Sequence, residues 1–594
     1  MKRAASGRGP GRRHAGWLAC IAVGASAQAH ALDTTVSGRI TFGSVLRLEA
    51  ADPNLLTALN APLVGLAGAA SGSNADDADL NWRRHDLVST ALKGTIEVGA
   101  RAKDFSALVR IKAWHDFTQA NRNRPWGNAL NGFTANRPLD DAGAASLSKF
   151  SGVALMDAWV QQTVDVGSAR LTGRIGQQTL AWGERGTVAG GLEALNARDG
   201  PAVRRAGATA QETRVPAPLL FARLELTPAL AVEGFVGARF KPAALDMCGT
   251  FWALSDYLAQ GCDAVMAGLP VLNDRARVRT GALLKRLPTP DVLDHDAGLA
   301  VLWKTFGAEF GLHHARYTWR TPMPSLRRTS RAGPPIVPGD PGGGNMAFFT
   351  KYPENIALTA LTFARKRGAV TVFGEVSYRP RAPFMLSPGD VLPPFLSATA
   401  PALLRQSADQ VAPGGVFHGF DLHPLAQFQL GLQREGKAGA TPVSGTVEVV
   451  AKHAMGLPDQ VLRRYGRADL FGMGPVFGNC VVTTGRPTLQ CTQAGYSTSD
   501  AWGYRLRVEA RWPALAPDWA PGLAATASAA FVHDVKGWSG DFLLNQGRKS
   551  LTMGARFEYR QRYLFEVAWL PIWGGDYNAF SDRDTLALAA GIKF

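Results

Sequence analysis

Residues 502–512 alternate without a break. Trp502, Tyr504, Leu506, Val508, Ala510 and Trp512 form one face, and Gly503, Arg505, Arg507, Glu509 and Arg511 form the other. A period of two marks a strand. A Trp at each end of the apolar face suits a strand facing lipid, because aromatic side chains favour both membrane interfaces. The pattern recurs. Leu551, Met553, Ala555, Phe557 and Tyr559 oppose Thr552, Gly554, Arg556, Glu558 and Arg560, and Tyr563, Phe565, Val567 and Trp569 follow after a tight turn. Val370 to Arg379 and Leu92 to Arg101 behave in the same way.

Segments of this kind number about eighteen between residues 34 and 594, with sixteen as the alternative if two are misread. Short connections such as Ala102-Lys103-Asp104, Thr227-Pro228 and Arg367-Gly368 alternate with long ones rich in Pro, Gly and Asp. The stretch 333–344 (GPPIVPGDPGGG) has no place inside a strand. Short turns at one end and long loops at the other predict an all-β fold, a closed antiparallel transmembrane β-barrel with long extracellular loops and short periplasmic turns. Closure leaves no unpaired strand edge in lipid. The last segment keeps Leu586, Leu588, Ala590 and Ile592 in step and ends on Phe594, the expected contact with the barrel assembly machinery.

The first residues carry Lys2, Arg3, Arg8, Arg12 and Arg13, then an apolar run from Gly16 to Ala25, then Ala29-His30-Ala31. Charged, apolar, then A-x-A is the secretory pattern, and the run is too short to span a bilayer as a helix, which takes about 20 residues. We therefore expect a signal peptide over 1–31, a barrel over 32–594 and an outer-membrane location in a Gram-negative bacterium. Cys20 sits too early in the apolar run for a lipobox.

Of the 594 residues 65 are Gly, and the net charge is +16. Setting aside the five cations of the leader leaves about +11. An exported chain rarely meets nucleic acid, so none is expected as a partner. The expected partners are the lipid bilayer, lipopolysaccharide and anionic solutes. Cys248 with Cys262 and Cys480 with Cys491 read as two local disulfides in an oxidising compartment. A zinc site lacks the spacing and the nearby His.

No G-x-S-x-G, P-loop or H-E-x-x-H occurs. We expect no enzyme, no catalytic residues, no cofactor and no metal. His313 and His314 are adjacent on a strand and face opposite sides. Asp76, Asp77 and Asp79 with Asn74 offer calcium ligands, but their spacing misses the EF-hand and a solvated loop is the expected reading. The better clue is the inward charge. Arg174, Arg505, Arg507, Arg511, Arg556 and Arg560, with Glu509 and Glu558, are the lumen-lining candidates. They would either pair and hold the barrel's shape or offer a basic path to anionic solutes.

Arg174-Ile-Gly176-Gln177-Gln178, then Trp182-Gly183-Glu184, resembles the R-x-G-x-Q…W-G-E segment of the domain-of-unknown-function 1302 family. Leu195-Asn196, Gly207, Glu212, Pro216-Ala217-Pro218 and the opening SGRITFGSVLRLEAADPNLL fit it too, as does the segment from Cys248 to Cys262. Gln177 and Ala197 depart from the pattern, where Arg and Pro are expected. The resemblance implies an outer-membrane barrel encoded near resistance-nodulation-division (RND)-type exporters and periplasmic lipid carriers. It implies traffic of lipids or other hydrophobic compounds, through a channel or as part of an export system. A hydrolase is the other alternative. Segment 185–218 either stays outside as a loop capped by an interfacial Trp182, or folds inward as a constriction in which Glu184 pairs with Arg185 or Arg205.

Overall fold

The computed structural model describes residues 32–183, 186, 188–267, 272–340 and 342–594. The expected leader 1–31 and the candidate Glu184 lie outside the described residues. Eighteen antiparallel strands form the wall. In chain order they are β1 (Asp33–Arg47), β2 (Leu87–Arg101), β3 (Phe105–Asp116), β4 (Ser151–Val166), β5 (Ala169–Gln178) and β6 (Ala217–Thr227). Then come β7 (Leu230–Gly237), β8 (Ala297–Thr305), β9 (Ala308–Tyr317), β10 (Ile356–Arg367), β11 (Val370–Met385) and β12 (Phe420–Ala438). The last are β13 (Thr441–Ala454), β14 (Asp500–Trp512), β15 (Leu523–Lys536), β16 (Lys549–Tyr559), β17 (Tyr563–Leu570, resuming at Ile572–Trp573) and β18 (Thr585–Lys593). Each pairs with the next, and β18 pairs with β1 from Arg39↔Lys593 to Arg47↔Thr585, so the sheet closes.

The exposed large apolar side chains fall on the outward positions. Val36, Ile40 and Phe42 of β1, Phe428, Leu430 and Leu432 of β12, and Leu506 and Val508 of β14 are all exposed. A water-soluble monomer rarely exposes a continuous apolar band of this extent. Lipid covers such a band without the edge problem, because every strand has two neighbours. Among the described residues no helix is long and apolar enough to cross a membrane. With strands about 4.8 Å apart and tilted about 40°, eighteen strands enclose a backbone cylinder roughly 36 Å across.

The ends differ, as the connection lengths require. One end carries connections such as 102–104, 228–229, 306–307 and 560–562. The other carries 48–86, 117–150, 179–216, 238–296, 318–355, 386–419 and 455–499. Apart from 179–216, which enters the lumen, those long segments pack into a cap over the second end. It includes a five-stranded sheet, made of Ala264–Met266, Leu283–Arg286, Ala347–Lys351, Met323–Arg327 and Val416–His418. The bonded pair Cys248–Cys262 is fully buried in a core with Trp82, Phe251 and Trp252, which also takes in Val45 and Ala589 of the wall. Cys480–Cys491 is bonded too and is half-buried.

Buried ion pairs fasten the cap. Arg47 at the end of β1 meets Asp79 and Asp582, and Arg583 grips Asp79 through two bonds of 2.6 and 2.7 Å. The Phe251 ring lies beside both guanidiniums, at 5.2 and 4.9 Å. The aspartates at 76, 77 and 79 are therefore not a solvated loop. All three are buried, because the loop carrying them packs against Trp126, Asp256 and Arg583 from three other segments. At the closure, the Phe594 backbone exchanges two hydrogen bonds with Gly38. A Cβ at Gly38 would stand 2.3 Å from the Phe594 ring, so glycine makes room for the terminal aromatic.

Candidate functional site

The lumen is the site, and a piece of the chain occupies it. After β5 the chain turns inward, and residues 188–215 run across the barrel against the inner faces of strands on both sides. On one side, the Gln429 amide donates to the Val188 carbonyl (2.9 Å), and Glu375 accepts from the Leu192 amide (2.8 Å). Arg379 donates to the Gly191 carbonyl at 2.6 Å. On the other side, Lys93 donates to the Gly207 carbonyl (2.7 Å) and to both oxygens of Glu212 (2.9 and 3.1 Å), while Lys112 pairs with Asp199. These lysines and acids are nearly inaccessible, so the ties are dry.

The residues that carry the family resemblance build this crossing. Trp182 is not interfacial. Its indole is buried inside the barrel, edge-on to Phe235 and His313, with Nε1 donating to Glu233 at 2.8 Å. Asn196 bonds both the amide and the carbonyl of Leu180, at 2.9 Å each, and closes the loop behind it. Gly207 has φ of +66°, a left-handed conformation that a side chain resists, and a Cβ there would come 3.1 Å from Ala589. Glu212 accepts from Thr209 and Lys93. An apolar cluster of Leu180, Leu192, Leu195, Leu219, Tyr317 and Leu358 fills the space between the crossing segment and the wall.

Below the crossing, toward the short turns, lies a cavity of about 790 Å³. Trp182, Phe221, Leu302 and Phe373 give it apolar surface, and Arg223, Glu233 and Glu375 give it charge. Arg223 is held by Glu233 and Glu225. His313 faces this cavity and reaches Thr362, while His314 faces outward to Thr359, so the two do not meet.

Most of the expected inward arginines occupy the opposite wall. Arg507 and Arg511 share Glu509, at 3.3 and 2.6 Å. Arg556 shares Glu566 with Arg39, each at 2.9 Å. Both groups hold two guanidiniums to one carboxylate, and the Arg507 and Arg511 side chains stay 57% and 68% exposed. Exposure of inward-facing charge shows that this half of the lumen is open to water. Arg505 bonds Asp534 (2.8 Å), and Glu558 takes Lys593 (2.9 Å). Arg174, on β5, bonds the Gln161 side chain and stacks 4.5 Å over Trp159. Arg560 departs from the expectation. It sits in the turn between β16 and β17 at φ +51°, its guanidinium over Tyr559, because the strand ends one residue before it. The alternation reading misses Arg39, Lys93, Lys112 and Glu375. All four are legible as polar members of alternating strands, but nothing local marks them as anchors.

The chain belongs to the family described as "Protein of unknown function (DUF1302)", whose model matches residues 12–594. No curated protein matches the chain significantly. Among solved structures it is similar to Pseudomonas aeruginosa OccD3 (OpdP), at 8% identity and TM-score 0.38, covering 94% of this chain and 91% of that one. It is similar to Acinetobacter baumannii OccAB3 at 9% identity and TM-score 0.39, covering 95% and 99%. It is also similar to Pseudomonas aeruginosa OpdK, solved with vanillate, at 8% identity and TM-score 0.35, covering 94% and 98%.

Proposed function

We propose that this barrel is a channel of the outer membrane for small amphiphilic or hydrophobic molecules that bear a negative charge. The reading is carried by one observation. The water-exposed pair Arg507 and Arg511, two guanidiniums on the single carboxylate of Glu509, faces a cavity with apolar and polar walls across an open half-lumen. Low-dielectric walls focus the field of surplus cations, which raises the local concentration of anions. The apolar wall gives the tail of an amphiphile a surface to follow. No bond-making chemistry is required. The bilayer, lipopolysaccharide and an assembly machinery that reads Phe594 are the partners this role implies.

Planar-bilayer recording across a salt gradient tests it. The native protein should show a reversal potential favouring anions, and Arg507→Glu with Arg511→Glu should shift it toward cations. An unchanged potential in the double variant would remove these residues from the path. A second reading draws on the crossing segment. A lumen crossed by its own chain suits a conduit widened by a periplasmic lipid carrier or RND-type pump, and co-purification of such a partner with conductance only in its presence would favour that reading.

A further inference from the structure

The cap holds a second cluster unrelated to the lumen. Asp76 and Asp77, at the start of the short helix Asp77–Asn81, meet Asp256 from segment 238–296. Each offers a carboxylate oxygen, and the three oxygens lie within 4.8 Å of one another. The side chains are 0%, 0% and 5% exposed. Asp274 lies alongside, bridged to Asp76 through the Asn60 amide.

Most of the carboxylate oxygens have donors. Asp76 Oδ2 accepts from the Thr57 amide and hydroxyl at 3.1 and 2.9 Å. Asp77 Oδ1 accepts from the Trp126 indole at 2.6 Å, and Asp256 Oδ2 accepts from the Asp77 amide at 3.3 Å. Two oxygens are left. Asp77 Oδ2 and Asp256 Oδ1 are buried with no donor among the described residues. Carboxylate oxygens without partners in a dry site cost several kcal/mol unless something positive meets them. The nearby Arg277 bonds Asp274 and Ser73.

We propose that Asp76, Asp77 and Asp256 form a calcium site that clamps two segments of the cap together. The donors are all oxygen, which suits a hard cation and excludes the softer ions that prefer nitrogen and sulfur. Calcium fits better than magnesium. It accepts an irregular shell of about 6–8 oxygens and sheds water readily, while magnesium holds its water and demands near-octahedral order. Without an ion, burial first and the neighbouring aspartates second push all three carboxyls up, Asp76 to about 8. A shared proton would relieve the repulsion between two carboxyls at a time, whereas one cation meets an oxygen of all three. It also joins segment 48–86 to segment 238–296, with Trp126 of segment 117–150 bonded to one ligand.

The test uses the full-length protein, stripped with chelator and held in detergent free of lipopolysaccharide, titrated with calcium chloride by calorimetry. One saturable site per chain is expected, at or below about 1 mM, the weak end for extracellular calcium modules. Asp77→Asn and Asp256→Asn should each weaken it at least tenfold while the heat-modifiable gel shift shows an intact barrel. Calcium should raise the unfolding temperature of the native chain and of neither variant. Absence of saturable binding by the native chain would overturn the proposal. So would equal binding in both folded variants, or equal affinity for magnesium.

Discussion

Replacing Lys93 and Lys112 together with Met should make the channel flicker open. Each lysine faces a carboxylate of the crossing segment in a nearly dry contact, Glu212 and Asp199 respectively. Met keeps the length and apolar stem but removes the charge. Stranding one partner of a buried pair costs about 3–5 kcal/mol. The two losses are not independent, because Lys112 also donates to the Glu212 carbonyl at 3.2 Å. A combined destabilisation of about 4–5 kcal/mol approaches the ~5.5 kcal/mol that would carry a two-state equilibrium from 1:99 to 99:1. The ties from Gln429, Glu375 and Arg379 remain, so the segment should leave its seat for part of the time rather than permanently. Single-channel recording should show discrete openings larger than any seen in the native protein. Native-like traces from a double variant that still gives the folded gel shift would refute the claim that these pairs hold the segment.

Other outcomes follow from the cap. Asp79→Ala leaves Arg47 and Arg583 buried with only Asp582 between them and should cost about 3–5 kcal/mol, read as a lower temperature for the heat-modifiable gel shift. Under native conditions a reductant should free the half-buried Cys480 and Cys491 first and leave the buried Cys248–Cys262 pair bonded, as thiol labelling followed by mass spectrometry would show. Burial alone would raise the Asp541 carboxyl, but Lys452 first, with donors from Ser539 and the Leu543 amide, reverses this and holds it below its usual 3.8. A depressed carboxyl stabilises the fold above its unfolded pKa and loses that contribution as pH falls through the folded one. The unfolding temperature of the native protein should therefore exceed that of Asp541→Asn near neutrality, with the gap closing below about pH 4.

All eighteen strands are legible in the sequence because each records its surroundings in a period of two, a local signal that the oily exterior and wet interior impose directly. The ends are less legible. The fifth strand stops at Gln178, because the chain there leaves the wall to cross the lumen. An indole at position 182 looks the same in sequence whether it meets lipid or Phe235. Arg560 reads as part of the wall since alternation continues smoothly into its turn. The cap is beyond reach for another reason. Asp79 and Asp77 are two residues apart, yet one serves Arg583 and the other faces Asp256, and both partners come from segments distant in sequence. The cysteine pairs are readable because each closes a short local loop, although their burial is not.

Solute entry into vesicles containing only this protein and lipid is the most direct measurement. An amphiphilic carboxylate should enter faster than a cation of the same size. Both should enter faster when residues 188–212 are deleted, because that stretch crosses the lumen and narrows it. Entry no faster than into empty vesicles, for the native chain and the deletion alike, would contradict a passage through the barrel.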